Sequence, residues 1–167
     1  MVDSRSILAE IPHLRRYARA MMGDRAAADD LVQDTLERAW ARLSQWRAGS
    51  NLRAWLFGIM HNMRVDQLRR PLLPTHSLDM DTCDVTIRAT QTDGLEIRDI
   101  ESALTQLPEE QREILLLLAL EEMSYAEIAE TLHIPAGTVM SRLARGRESL
   151  RLIMQGHPAS AKLRVVK

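Results

Sequence analysis

The side chains best suited to chemistry stand near the C-terminus, where Thr138 is followed by Ser141, Arg142 and Arg145 at intervals of three, four and seven residues. On a helix that spacing puts all four on one face. An arginine there can bond a guanine edge bidentately, and Thr or Ser can bond bases or phosphate, which is the chemistry of a DNA major groove. Catalytic patterns are weak by comparison. His13, His61, His76, His133 and His157 are scattered, without metal-ligand spacing, and no Gly-rich phosphate loop accompanies them. Cys83 is the single cysteine, so neither an internal disulfide nor a paired-cysteine zinc site is expected. No basic neighbour favours its thiolate, and it reads as an ordinary thiol in a reduced, cytoplasmic protein. The expectation is a chain that is not an enzyme and needs no metal and no cofactor.

These side chains need a scaffold, and the scaffold reads as all-α. Ala, Leu, Arg, Glu and Met dominate, β-branched residues never cluster, and no strand is predicted. A first helix is expected from about Ser6 to Met22, ending at Gly23. Asp24 caps a second, with Ala28, Val32, Leu36, Ala39 and Leu43 inward and Asp30, Asp34, Glu37 and Arg38 outward. A third helix runs from Leu52 to Arg70, burying Leu52, Trp55, Leu56, Ile59 and Met63. Helicity resumes near Leu95 with Ile97, Ile100 and Leu104 on one face, and Pro108 opens the next helix as its first residue. Ser124 and Glu127 then have capping-box spacing, His133-Ile134-Pro135 forms a turn, and a last helix spans about Ala136 to Ile153. A short capped helix, a turn and a longer basic helix make a helix-turn-helix. Ile128, Ala129, Leu132, Ile134, Val139 and Leu143 supply its core, and Gly146 allows close approach. An isolated basic helix is as readily a solvated surface; the capped helix and turn before it decide for a DNA reader.

With 167 residues and a net charge of −1, the chain looks at first unlike a nucleic-acid binder. The charge is unevenly placed. Residues 1–70 hold 12 arginines against 8 acids, residues 71–110 hold 2 against 9, and residues 111–167 hold 8 basic residues against 6 acids. Two mildly basic ends flank an acidic middle. The predicted organisation is therefore an N-terminal helical domain (1–70), a flexible acidic linker (71–94) with Asp79, Asp81, Asp84 and Asp93, a C-terminal helix-turn-helix domain (95–156) and a tail (157–167). The longest apolar run, Ile114 to Leu120, is far short of the roughly 20 residues a membrane span needs, so no membrane insertion is expected. No apolar leader is read at the N-terminus.

Three segments of the C-terminal half, Leu107-Pro-Glu-Glu-Gln-Arg-Glu-Ile114, Ser124-Tyr-Ala-Glu-Ile-Ala129 and Pro135-Ala-Gly-Thr-Val-Met-Ser-Arg-Leu-Ala-Arg145, resemble the C-terminal domain of bacterial RNA polymerase sigma factors of the extracytoplasmic-function group. In the N-terminal half, Asp30-Leu-Val-Gln-Asp-Thr-Leu-Glu-Arg-Ala-Trp40 and Leu52-Arg-Ala-Trp-Leu-Phe-Gly-Ile-Met-His-Asn62 resemble the family's second region. The matches cover about residues 6–70 and 96–152. The resemblance implies that Asp30, Gln33, Asp34 and Arg38 dock on the clamp helices of the largest subunit of core RNA polymerase, with further contact at the flap. It assigns promoter −10 melting and recognition to the helix from Leu52 and the loop before it: Ser50 and Asn51 at a flipped-base pocket, Asn62 on the strand, and Arg53, Arg64, Arg69 and Arg70 along phosphates. Trp55 and Phe57 are candidates at the melted fork, although Trp55 also falls on the apolar stripe. Thr138, Ser141, Arg142 and Arg145 match the −35-reading helix. Met140 stands where many members carry a basic residue, and an apolar thymine contact or a weaker −35 contact follows. The linker is expected along the polymerase interior, its acids standing in for nucleic acid.

On that footing the chain is a promoter-specificity subunit that binds promoter DNA with core polymerase, is held by an anti-sigma factor and needs no homo-oligomer. Neither half is basic enough for an independent high-affinity DNA binder. Two alternatives stay open: a helix-turn-helix repressor, which would normally dimerise on two half-sites and here lacks a zipper-like heptad run, and a sigma mimic that titrates an anti-sigma factor.

Overall fold

Asp24 begins the second helix as its spacing predicts, its carboxylate accepting a 2.7 Å bond from the backbone of Ala27. Gly23 ends the first in the left-handed region at φ +70°. In a computed structural model that describes residues 4–47, 49–69 and 91–156, α1 is Ser4–Met22, α2 Arg25–Ala41 and α3 Leu52–Arg69. A 3-10 turn, Leu43–Gln45, follows α2. The second half holds α4 Gln91–Thr105, α5 Glu109–Glu121, α6 Tyr125–Leu132 and α7 Ala136–Met154. The described residues contain no strand. Arg70, Cys83, Asp79, Asp81, Asp84 and the tail lie outside them, and the side chain of Asp93 is not described.

Four details differ from the sequence reading. Leu43, expected on the inward face of the second helix, lies in the 3-10 turn after it and is only half-buried. Helix α4 starts at Gln91, inside the stretch expected to be linker. Pro108 is not the first helical residue; it sits just before α5 with extended backbone, φ −53° and ψ 138°, where its missing N–H costs nothing. Ile100, expected inward, is 43% exposed, while Ala103 on the same helix is buried. The two expected core faces are otherwise broader than one stripe. Leu31 and Thr35 join Ala28, Val32 and Ala39 on α2, and the Thr35 hydroxyl is satisfied within the helix by the carbonyl of Leu31 at 2.7 Å. On α3, Phe57 and Met60 join Leu56 and Ile59, and Phe57 meets the Tyr17 ring edge-on with centroids 5.0 Å apart. Phe57 is therefore a core residue. Trp55 is half-buried against the same core.

The halves close on one another. Helix α5 packs on α7 and α6 in its own half and on α1 in the other, while α3 packs on α6 as well as α2. Ile114, Leu115, Leu116 and Leu117 are four consecutive residues, all buried. At 100° per residue they cover most of the helix circumference, so α5 needs neighbours on every side. Close approach of α7 is possible because Gly146 faces α5; a Cβ there would stand 3.0 Å from Leu115 and 3.3 Å from Gln111.

Arg112 fastens this arrangement. Its guanidinium donates to the carbonyls of Leu104 (2.7 Å), Thr105 (2.6 Å), Leu107 (3.0 Å) and, across the halves, Met21 (2.7 Å). Met21, Leu104 and Thr105 stand at the ends of α1 and α4, where helix geometry leaves acceptors short of donors and the dipole favours a cation, and Leu107 follows in the turn to α5. We expect Arg112→Ala to lower the unfolding free energy by about 3 kcal/mol, from the loss of several charge-assisted hydrogen bonds. Arg112→Lys, with one ammonium in place of a planar fork, should recover less than half. Urea denaturation of the two variants against the parent checks this; a loss below about 1 kcal/mol in Arg112→Ala would contradict it.

Candidate nucleic-acid interface

Helix α6 is set by a complete capping box. Glu127 N donates to Ser124 Oγ at 3.3 Å, and Ser124 N donates to the Glu127 carboxylate at 2.8 Å. His133 ends the helix in left-handed backbone, φ 52° and ψ 43°, which serves the turn and marks it as a structural residue. Pro135 then precedes α7 with extended backbone. Ile128, Leu132, Val139 and Leu143 are buried between α6 and α7, as the helix-turn-helix reading requires. On the outer side Ser141 and Arg145 are exposed, and Met140 is 52% exposed beside them. Thr138 and Arg142 are half-buried, and Arg142 turns toward α5 to pair with Glu110 at 2.8 Å.

The residues of α3 and its approach loop are drawn into contacts of two kinds. Asn51 caps α3, accepting from Ala54 N at 3.1 Å, while its amide donates to Glu127 in the other half at 3.1 Å. Arg64 forms a two-bond fork with Glu109 across the halves, 2.6 and 3.0 Å. Arg53 instead stays within its own half, bonding Glu10 at 2.8 Å beside His13. Ser50 is exposed and donates to the Arg47 carbonyl at 2.8 Å. Asn62 and Arg69 are exposed. Asp30, Gln33 and Asp34 are exposed on α2, and Asp34 and Arg38 line an open cleft of roughly 450 Å³ between α2 and α3, with Met63 and Asp66 opposite.

Sequence reasoning missed the acids of α5 that meet the N-terminal half. Glu113 and Glu121 are buried on α5, 7% and 4% exposed. Glu113 receives the Tyr17 hydroxyl at 3.3 Å and lies 2.7 Å from His61; Glu121 lies 2.9 Å from both His13 and Arg16. Arg16 also donates to the Leu120 carbonyl. Burial, reinforced by the charge of Glu113, raises the Tyr17 phenol well above its ordinary pKa. The signal that would have found these acids is the all-round apolar run beginning at Ile114: acids set along such a helix must be buried with it, and buried carboxylates need partners.

A capped helix-turn-helix facing outward, joined to a second helical unit of three helices, defines a DNA-binding transcription protein. Residues 7–61 match the family described as the Sigma2 domain of PhyR, and residues 97–150 match sigma-70, region 4. The chain is 37% identical over 150 residues to the ECF RNA polymerase sigma factor EcfG of Rhodopseudomonas palustris, covering 89% of this chain and 82% of that one. Among solved structures it is similar to the sigma factor RpoE of Bartonella quintana in complex with the anti-sigma factor NepR, with 33% identity, a TM-score of 0.75, and 90% and 95% of the two chains covered. It is also similar to CnrH in complex with the cytosolic domain of CnrY, at 27% identity and a TM-score of 0.68, covering 91% of this chain and 86% of that one. The chain belongs to the ECF RNA polymerase sigma factors, transcription-initiation proteins that are not themselves enzymes. None of the helices in its described residues is long and apolar enough to cross a membrane.

Glu127 serves both the capping box and the contact to Asn51. Its bonds from the backbone and then the hydroxyl of Ser124 hold its carboxyl below the ordinary carboxylate pKa, with Asn51 adding to them. A depressed folded-state pKa stabilises the protein above the unfolded value and loses that contribution as pH falls through the folded one. Ser124→Ala should return the Glu127 pKa partway toward normal in an NMR pH titration and cost about 1 kcal/mol of stability, the usual worth of an N-cap. An unmoved titration would contradict the geometry described.

Proposed function

We propose that the chain docks on core RNA polymerase through the outer face of α2 and directs initiation at a restricted set of promoters, reading the −35 element with α7 and holding the melted −10 strand with α3 and its approach loop. The observation that carries this reading is the outer face of α7, where a capped helix-turn-helix leaves Ser141 and Arg145 exposed, with Thr138 and the Glu110-paired Arg142 half-buried beside them. Arg142 and Arg145 read base edges there, with Met140 offering a thymine methyl an apolar partner. Asp30, Gln33, Asp34 and Arg38 form the polymerase contact beside the α2–α3 cleft. Ser50, Asn51, Asn62, Arg64, Arg69 and Arg70 form the −10 surface, where a basic groove offsets the cost of extruding bases. Arg53, tied to Glu10, positions the start of α3. The linker runs between the two DNA-reading units, and the protein works in the cytoplasm. An anti-sigma factor is the expected regulator, supported by the similarity to two sigma factors solved with theirs.

Run-off transcription with purified core polymerase tests this reading. The double variant Arg142→Ala, Arg145→Ala should lose about 100-fold in initiation from a promoter that depends on its −35 element, at 1–3 kcal/mol per lost base contact. Asn62→Ala with Arg64→Ala should leave promoter binding but impair melting, seen as lost permanganate reactivity of the −10 thymines. If both variants transcribe like the parent, the assignment of α7 and α3 is wrong. A second reading, a sigma mimic that captures an anti-sigma factor without initiating transcription, is favoured by the match of residues 7–61 to the PhyR sigma2 domain. It predicts no transcript with core polymerase from any promoter, and capture of an anti-sigma factor that survives the Arg142→Ala, Arg145→Ala change.

A further inference from the structure

Arg142 does not stand on the crest of α7. Ser141 and Arg145 are exposed there, whereas Thr138, Arg142 and Gly146, spaced one helical turn apart, follow a line turned toward α5. At Gly146 that line comes close enough to α5 for a Cβ to stand 3.3 Å from Gln111. Glu110, next to Gln111 in the first turn of α5, reaches Arg142 from this side, its Oε2 2.8 Å from Nη2. The arginine side chain is 27% exposed and the carboxylate 68%, so the pair sits at the edge of the reading face and borders solvent.

A guanidinium has five N–H donors, and a carboxylate oxygen at Nη2 leaves others for a second partner. Arg142 can therefore meet a base edge while it is still paired. What the pair lacks is net charge. Attraction to DNA phosphates depends on positive charge and the counterions it releases, and it is the same for every sequence. A base edge is recognised instead by the pattern of its hydrogen bonds, which a neutral pair retains. We propose that Glu110 is a positioning residue for −35 recognition: it fixes the Arg142 guanidinium beside α5 and cancels its charge, so that Arg142 contributes to the choice of base and little to sequence-blind attraction. This rests on the reading of α7 as the −35 element. The pairing also restrains a long side chain before DNA arrives, so less freedom is lost when the base contact forms. Glu110 is itself well placed, since the helix dipole favours an acid in the first turn of α5.

Holoenzyme reconstituted from core polymerase and the full chain tests this, on promoters in which each −35 base pair is replaced in turn. Arg142→Ala first identifies the base pair that Arg142 reads, as the position where preference flattens. At that position Glu110→Gln should cut discrimination against the wrong bases by about two- to fivefold, the strength of an exposed ion pair. Binding to promoters with a scrambled −35 element should rise, and the slope of log affinity against log salt should steepen by about 0.9, the contribution of one phosphate. Neither change should appear when Glu110→Gln is added to Arg142→Ala. An equal loss on cognate and altered promoters, with the parent's salt slope, makes Glu110 only a structural acid of α5 and overturns the proposal. A steeper slope that persists in the Arg142→Ala background also overturns it, because the carboxylate then acts by general repulsion of DNA. If Arg142→Ala leaves every base preference unchanged, the assignment of Arg142 to the −35 element fails and the proposal with it. If it flattens one preference while Glu110→Gln changes neither discrimination nor slope, the role of Glu110 alone has failed.

Discussion

Everything in this fold turns on the enclosure of α5. A helix with Ile114, Leu115, Leu116 and Leu117 all buried has no side to show to water, and a three- or four-helix unit the size of the C-terminal half covers only part of it. Helix α7 takes one side, admitted by Gly146, and α6 takes another. The remaining side is filled by α1, from the opposite end of the chain. Burying the apolar run buries Glu113 and Glu121 with it, and a buried carboxylate is tolerated only with partners. Tyr17, His61, His13 and Arg16 are those partners, and all of them belong to the N-terminal half. One hydrophobic requirement thus brings the two halves together and dictates the polar contacts between them.

The near-zero net charge takes its meaning from the same seam. Divided along the chain, it looks like two mildly basic readers separated by an acidic spacer. In space, Glu109, within the acidic middle segment, forks onto Arg64 of the basic first segment. Glu110 of that same segment pairs with Arg142 on the outer helix of the helix-turn-helix. Acids and bases that are far apart in sequence neutralise one another locally.

Local features were legible because they depend on neighbours in sequence. The Asp24 cap, the Gly23 stop, the Ser124–Glu127 capping box and the small residue at Gly146 each follow from a few adjacent side chains. The outward placement of Ser141 and Arg145 followed once Val139 and Leu143 were read as core, while Thr138 and Arg142, read the same way, are half-buried. Features set by contacts distant in sequence were not legible. Phe57 has no local signal that separates a wedge from a core ring until Tyr17 stands against it. Asn51 and Arg64 read as free DNA-facing groups, since nothing near them in sequence announces Glu127 or Glu109. Nothing near Arg112 in sequence announces that it joins the ends of α1 and α4. The one available clue to closure was the width of the apolar surface on α5, which exceeds what an amphipathic helix on a small domain requires.

The free protein folds both halves around α5. Proton NMR of the unmodified chain at neutral pH tests it most directly, through cross-peaks between the Tyr17 ring and the Glu113 side chain. Those residues come from opposite halves, with the hydroxyl 3.3 Å from the carboxylate. Clear cross-peaks are expected there, together with others linking α1 and α3 to α5 and α6. A spectrum with well-formed helices and no cross-peak between the halves would contradict it.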